Sequence, residues 1–239
     1  MAYGSQPRWT DRSAATQVDI DVGLRDYMLR IYNYMASALA LTGIVAYVFA
    51  GYLETNRALV HSPVMWLIIF APFGLVLLLS FGINRLSAAA SQGIFWLYAG
   101  LMGLSLSTIF LVYTGASIAR VFFITAGTFA AMSLYGYTTR RDLTQLGSFL
   151  FMGLIGIVIA SLVNMFMQNG MLQFLISVIG VIVFVGLTAY DTQSIKEMYY
   201  EGDGHEIAGK KAVMGALRLY LDFVNLFMML LQLFGVRRD

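Results

Sequence analysis

The chain has 239 residues, 59% hydrophobic and 12% charged, with a net charge of +2 and no cysteine. Soluble domains carry about 25% charged residues, so this composition excludes a water-soluble globular protein. The small net charge argues against a nucleic-acid partner, and the absent thiols exclude disulfides and thiolate metal sites. The apolar runs are continuous rather than alternating over ten residues, which points to an all-α membrane protein and not a β-barrel.

Residues 1–24 are polar, with Gly4, Ser5, Pro7 and charges of both signs. They lack the basic, then apolar, then small-residue order of a cleaved signal peptide. They are expected to form a disordered cytoplasmic tail, ahead of a seven-helix transmembrane domain over residues 25–239. Span one is expected at about Ile31–Tyr52, with Arg30 and Asn33 at its mouth. Pro63 suits the first turn of span two, which is charge-free to Gly82 and ends at Asn84-Arg85. From Leu86 to Ala119 there is again no charge. That run exceeds the roughly 20 residues of one crossing. It divides into span three, Gly93–Tyr113, and the start of span four, Ile118–Tyr137, with a turn at Thr114-Gly115-Ala116-Ser117. After the basic turn at Arg140-Arg141, Leu143–Tyr190 needs two crossings, split at Gln168-Asn169-Gly170. These are span five, Leu146–Met167, and span six, Leu172–Tyr190, which Asp191 interrupts. A polar segment, Ser194–Lys211, leads to span seven, Gly215–Gly235.

Basic residues set the expected orientation. With the N-terminus in the cytoplasm, that side holds Arg8, Arg12, Arg25, Arg30, Arg85, Arg140, Arg141, Lys196, Lys210 and Lys211. The far side holds Arg57, Arg120, Arg237 and Arg238. The pair Arg237-Arg238 fits this poorly, unless the last segment is re-entrant. Small residues inside the spans, such as Ala99 and Gly103 or Gly153 and Gly156, allow close helix packing in lipid. His61 and His205 read as solvated loop residues, because one loop histidine makes no ligand set.

Two carboxylates stand apart from the rest. Asp191 ends span six and Asp222 lies inside span seven, where an acidic side chain costs roughly 2.5–3.5 kcal/mol on insertion scales. Such a residue faces protein or water and has a partner. Arg218, one turn before Asp222, offers an i,i+4 salt bridge. Both acids fall in the cytoplasmic half, the side on which span two ends with Arg85. Two carboxylates close together in a poorly solvated site share a proton and titrate as a coupled pair. A neighbouring arginine held by the ionised pair and released by protonation makes a proton-sensitive latch. The same oxygens suit calcium, with Asn225 and Tyr190 as further candidate donors.

Ala189-Tyr190-Asp191, followed by Gln193 and Ile195-Lys196, resembles the end of span six in the Bax inhibitor-1 family. Leu219-Tyr220-Leu221-Asp222-Phe223-Val224-Asn225-Leu226-Phe227 resembles that family's C-terminal motif, and Arg85 resembles its span-two arginine. The resemblance covers about residues 25–235. It implies seven transmembrane helices with the last one central and wrapped by the other six, in the inner (plasma) membrane of a bacterium. It also implies a pH-sensitive calcium leak: Asp191 and Asp222 as sensor and ion pathway, Arg85 as the latch, and calcium as transported ion rather than cofactor. Arg218 departs from the pattern by adding a charge near the pair.

Three other readings compete. Some bacterial relatives in the family modulate a membrane-bound ATP-dependent protease without transport, and the N-terminal tail would then be the contact. Paired aspartates on adjacent spans also resemble intramembrane aspartyl proteases. Here, however, the second aspartate sits in Leu219-Tyr220-Leu221-Asp222 without flanking glycine, and the downstream Pro-Ala-Leu motif is absent, so no enzymatic activity is expected. A proton-coupled carrier would use the same acids, but no residue names its substrate.

Overall fold

The computed structural model of the chain describes residues 10–60 and 62–238. Its helices are α1 (Thr10–Thr55), α2 (Arg57–Val60), α3 (Pro63–Gly82), α4 (Ala88–Leu106), α5 (Ile109–Val112), α6 (Gly115–Thr138), α7 (Thr144–Met167), α8 (Gly170–Glu197) and α9 (His205–Phe234). Among the described residues, seven stretches are long and apolar enough to cross a bilayer, α4 and α5 together forming one of them. Of the tail expected over residues 1–24, residues 1–9 lie outside the described residues, and the backbone is helical from Thr10 onward.

The ends of these helices follow from local chemistry. Pro63 opens α3, where its missing N–H is not needed. The Ser87 hydroxyl accepts from the Ala90 N–H and caps α4. Ser107 Oγ donates to the Leu104 carbonyl and competes with the backbone where α4 gives way to α5. α7 ends at Gln168 in the left-handed conformation (φ 49°), and Asn169 caps α8 through the Met171 and Leu172 N–H groups.

Two expected boundaries are corrected. α8 does not stop at Asp191 but continues to Glu197, and α9 begins at His205 rather than near Gly215. The polar connection is therefore only residues 198–204. Polarity marks where a helix leaves the apolar zone, not where its hydrogen bonding ends. The polar turns are held in place by Lys196 Nζ donating to the Tyr137 carbonyl and Lys211 Nζ donating to the Met198 carbonyl and the Asp203 carboxylate.

α9 is the axis of the bundle. It packs directly against α1, α4, α6 and α8, while α3 lies outside on α4 and α7 outside on α8. Its residues Leu217, Leu219, Tyr220, Leu226 and Leu231 are almost completely buried. The close approaches depend on glycine: a Cβ at Gly103 would meet the Thr42 carbonyl and Val45 at 2.7 Å, and one at Gly136 would collide with the Ala189 carbonyl. Gly156, by contrast, faces open space.

α9 runs the full depth of the bundle. Near its start Glu206 accepts from the Ala88 N–H at 2.7 Å. Beyond its end Arg238 donates its N–H to the Val112 carbonyl at 2.8 Å, and Val236 exchanges hydrogen bonds with Thr114 and Ser117. Thirty residues at the helical rise span about 45 Å, more than the hydrocarbon core. The last segment is thus not re-entrant, and Arg238 pairs with Glu54 at 2.6 Å on that far face.

The Gly136 contact is with backbone, which cannot give way. Gly136→Val should separate α6 from α8 and destabilise the detergent-solubilised protein by about 1–3 kcal/mol or more. Gly156→Ala should leave the melting temperature unchanged or raise it slightly. Thermal unfolding of the two variants side by side checks both expectations.

Candidate functional site

α8 and α9 run antiparallel, and one register holds along their seam. Ser177 meets Gln232 and Gly180 meets Met229; further along, Asp191 meets Asp222. α7 follows α8 in the same way: Gly147 lies on Tyr190, Leu150 on Gly186, and Asn164 on Gln173. α7 and α9 flank α8 without closing on each other, and a cavity of about 620 Å³ opens between them. It is lined by Gly147, Ser148, Phe151 and Leu154 of α7, Phe184, Leu187, Tyr190 and Asp191 of α8, and Arg218, Leu221, Asp222 and Asn225 of α9. A Cβ at Gly147 would lie 2.5 Å from the Tyr190 ring, so glycine there lets the ring form part of the wall.

Asp222 is 4% exposed, the one buried acid among the described residues. Its Oδ2 is fully enclosed and receives no hydrogen bond from a described N–H or O–H group. The Asp191 carboxyl sits within hydrogen-bonding range of it. Carboxylate oxygens only accept, so two of them bond only through a proton. A proton held between the two carboxyls would satisfy an oxygen on each.

The structure places the other sequence-derived candidates unequally. Arg218 lines the cavity and its charge acts on both carboxyls. No ion pair within 4 Å joins it to either acid among the described residues, so the i,i+4 salt bridge is not formed, and the residue is largely exposed. Tyr190 and Asn225 are in the wall. Asn225 Nδ2 donates to the Leu221 carbonyl at 2.8 Å, which leaves its amide oxygen available. Arg85 is not brought to the cavity. It is exposed in the α3–α4 turn, level with Glu206 through the Ala88 hydrogen bond. Asp222 follows Glu206 by roughly sixteen residues, about 24 Å along α9, far beyond the reach of an arginine side chain. His205 is exposed at the first position of α9, and His61 lies outside the described residues.

Among the described residues no cluster of three or more His, Asp or Glu side chains is positioned to hold a metal. A calcium ion takes six to eight oxygen ligands. The cavity offers two carboxyls and neutral oxygens from Asn225, Tyr190 and Ser148. A larger crevice of about 780 Å³ between α1 and α6 is almost wholly apolar and contains neither aspartate.

The structure also gathers polar residues that charge patterning does not single out. At the far ends of α7, α8 and α9, Asn164 Nδ2 donates to Gln173 Oε1 (3.0 Å) and Gln173 Nε2 donates to Gln232 Oε1 (2.6 Å). Ser177 Oγ also donates to Gln232 Oε1, at 2.8 Å. Near the centre, Tyr220 and Thr42 share a hydrogen bond of 2.7 Å, and Thr42 donates to the Ala99 carbonyl. Amides and hydroxyls inside apolar spans were the available signal, because each must find a partner there.

A family model described as inhibitor of apoptosis-promoting Bax1 matches residues 24–239. An uncharacterised protein of Rickettsia prowazekii is 51% identical over 92% of this chain and 93% of its own length. The inner membrane protein YbhL of Escherichia coli is 50% identical over 90% of this chain and 94% of its own. An uncharacterised membrane protein of Streptococcus pyogenes is 38% identical, covering 90% and 94% respectively.

One acid outside the spans behaves differently from the buried pair. Hydrogen bonds from Thr144 hold the exposed Asp142 carboxyl below its ordinary value, the backbone one measuring 2.8 Å at the start of α7. A carboxyl with a depressed folded value contributes stability above its unfolded value and loses it as pH falls through the folded one. Amide exchange over the first turn of α7 should therefore accelerate only in strongly acid solution, and Asp142→Asn should remove that acceleration. A response nearer neutral pH would have to come from elsewhere.

Proposed function

The chain belongs to the Bax inhibitor-1 family of membrane proteins, and on that premise we propose that it is a pH-sensitive calcium leak of the bacterial inner membrane. Asp191 and Asp222 are its proton sensor and line its ion pathway. The observation that carries this reading is the enclosed Oδ2 of Asp222, which receives no hydrogen bond, on a side chain that shares its cavity with Asp191.

The chemistry follows from the pair. When ionised, the two acids present concentrated negative charge in a poorly solvated cavity and hold a nearby cation strongly. Protonation removes that hold, and the element carrying the cation is free to move. Arg218 is the cation already at the cavity. A latch through Arg85 requires α3 to leave α4 and close a gap of about 24 Å, roughly half the length of α9. Calcium is the cargo: a hard cation suited to the carboxylates and to the neutral oxygens of Asn225, Tyr190 and Ser148. The N-terminus is cytoplasmic in this reading. The basic residues Arg85, Arg140 and Arg141 then face the cytoplasm.

Calcium entry into dye-loaded proteoliposomes, with empty liposomes as the control, tests the proposal. The leak should rise as the medium is acidified, and Asp191→Asn and Asp222→Asn should each flatten that dependence. Identical profiles for the parent and both variants would end the sensor reading. Arg218→Gln should raise the leak at high pH while Arg85→Ala leaves it in place. The reverse result would assign the latch to Arg85 and demand a large excursion of α3.

A further inference from the structure

α1 and α6 both pack on α9, and the crevice of about 780 Å³ opens between them. Its rim is exposed, with Leu29, Ala36 and Ala40 on α1 and Phe122, Ala130 and Leu134 on α6. Alanine makes the room: Ala36 and Ala40 lie four residues apart on one helix face, and so do Ala126 and Ala130. The floor is aromatic, with the Phe223 ring centre 5.5 Å from those of Phe122 and Phe129. Tyr32 and Ser133 share a hydrogen bond of 2.6 Å, and Ser133 and Thr192 share one of 3.0 Å. These hydroxyls are satisfied and ask nothing polar of an occupant. One end has a different chemistry. Since Tyr32 meets Ser133 and the two helices run antiparallel, Arg25 and Tyr137 fall at the same end of the lining. Arg25 is exposed there. Lys196 stands beside Tyr137, its Nζ 5.3 Å from the ring centre and donating to the Tyr137 carbonyl. The neighbouring acids Asp26 and Glu197 are exposed and take no part in the lining.

We propose that this crevice binds one anionic phospholipid, with an acyl chain between α1 and α6 and the phosphate at Arg25 and Lys196. The second chain stays in the bilayer. The depth fits. The lining runs from Arg25 to Ala40 on α1 and from Phe122 to Tyr137 on α6, in each case about 22 Å of helix. One leaflet with its headgroups is about 20–22 Å deep. The width also fits. Spread over that depth, the volume gives a mean section of about 35 Å², less than half that of a helix ~10 Å across. An extended alkyl chain lies within such a crevice, and a helix from a second copy does not. The charge is complementary to an acidic headgroup. A basic pocket between spans, at the level where they leave the bilayer, takes anionic lipid heads. The arginine fork matches two phosphate oxygens, and the lysine adds a point charge. A zwitterionic lipid brings an ammonium group that both cations repel. The site is separate from the aspartate cavity, and the proposal stands whether or not the chain conducts calcium.

Native mass spectrometry tests the headgroup. The full-length protein, delipidated in mild detergent, is offered equal amounts of phosphatidylglycerol and phosphatidylethanolamine with the same acyl chains. One phosphatidylglycerol should be retained per chain, favoured over phosphatidylethanolamine by at least about tenfold, and Arg25→Gln should cut that preference roughly fivefold, the factor expected for one cation near an anionic headgroup. A phosphatidylglycerol with a photoreactive diazirine on its acyl chain tests the place. Its crosslinks should fall within residues 28–40 and 122–137, the apolar lining of the crevice. Ala36→Phe and Ala130→Phe fill the crevice from its exposed rim. Each should remove the crosslinks while the melting temperature of the delipidated protein holds. Equal retention of the two lipids, or a preference unchanged in Arg25→Gln, overturns the headgroup assignment. Crosslinks elsewhere on the bundle, or crosslinks that survive both fillings, overturn the crevice as the site. A lipid-independent dimer that is lost in the same two variants gives this face to a second copy and overturns the proposal as well.

Discussion

A carboxyl on the central helix, shut away from water and matched only by another carboxyl, sets the terms for the rest of this bundle. Asp222 is enclosed at that depth because α9 packs against α1, α4, α6 and α8, and α8 carries Asp191 to the same level. The enclosure in turn depends on small residues. Gly136 lets α6 reach the Ala189 carbonyl and hence sit close on α8, and Gly147 lets Tyr190 fill the wall under α7. Bulkier side chains at these places would spread the helices and wet the pair, and the coupling between the two acids would weaken as the local dielectric rose.

The two ends of the α7–α8–α9 sector are built from different chemistry. One end has the two carboxyls Asp191 and Asp222, and the other has the amides Asn164, Gln173 and Gln232 hydrogen-bonded to one another. Between them α8 and α9 pack through apolar side chains, among them Val183, Phe184 and Leu226. The exposed Asp142, held by Thr144, lies at the basic end but outside this sector's polar stripe, and its titration touches only the start of α7.

Much of this was legible in the sequence, and the reasons differ by feature. Charge-free runs with polar breaks gave every crossing, and Pro63–Gly82 and the turn at Gln168-Asn169-Gly170 fall where the residues suggest. The pairing of Asp191 with Asp222 was also within reach, since only these acids lie in spans. The lengths of α8 and α9 were not, because a helix leaving the apolar zone keeps its backbone bonds while its side chains become polar. The height of Arg85 was misjudged for the same reason. Extending α9 back to His205 puts Asp222 much deeper relative to the α3–α4 turn than a span starting at Gly215 would. The fit of Met229 into Gly180 depends on the register between two helices, which neither helix states alone.

The central claim is that Asp191 and Asp222 hold one proton between them. Infrared difference spectroscopy of the carboxylic C=O stretch during a pH titration tests it most directly, with the parent compared against Asp191→Asn and Asp222→Asn. The account predicts that each substitution removes its own carboxyl signal and also shifts the titration and frequency of the other, as coupled acids require. Two carboxyl signals that titrate independently, each indifferent to loss of the other, would contradict it.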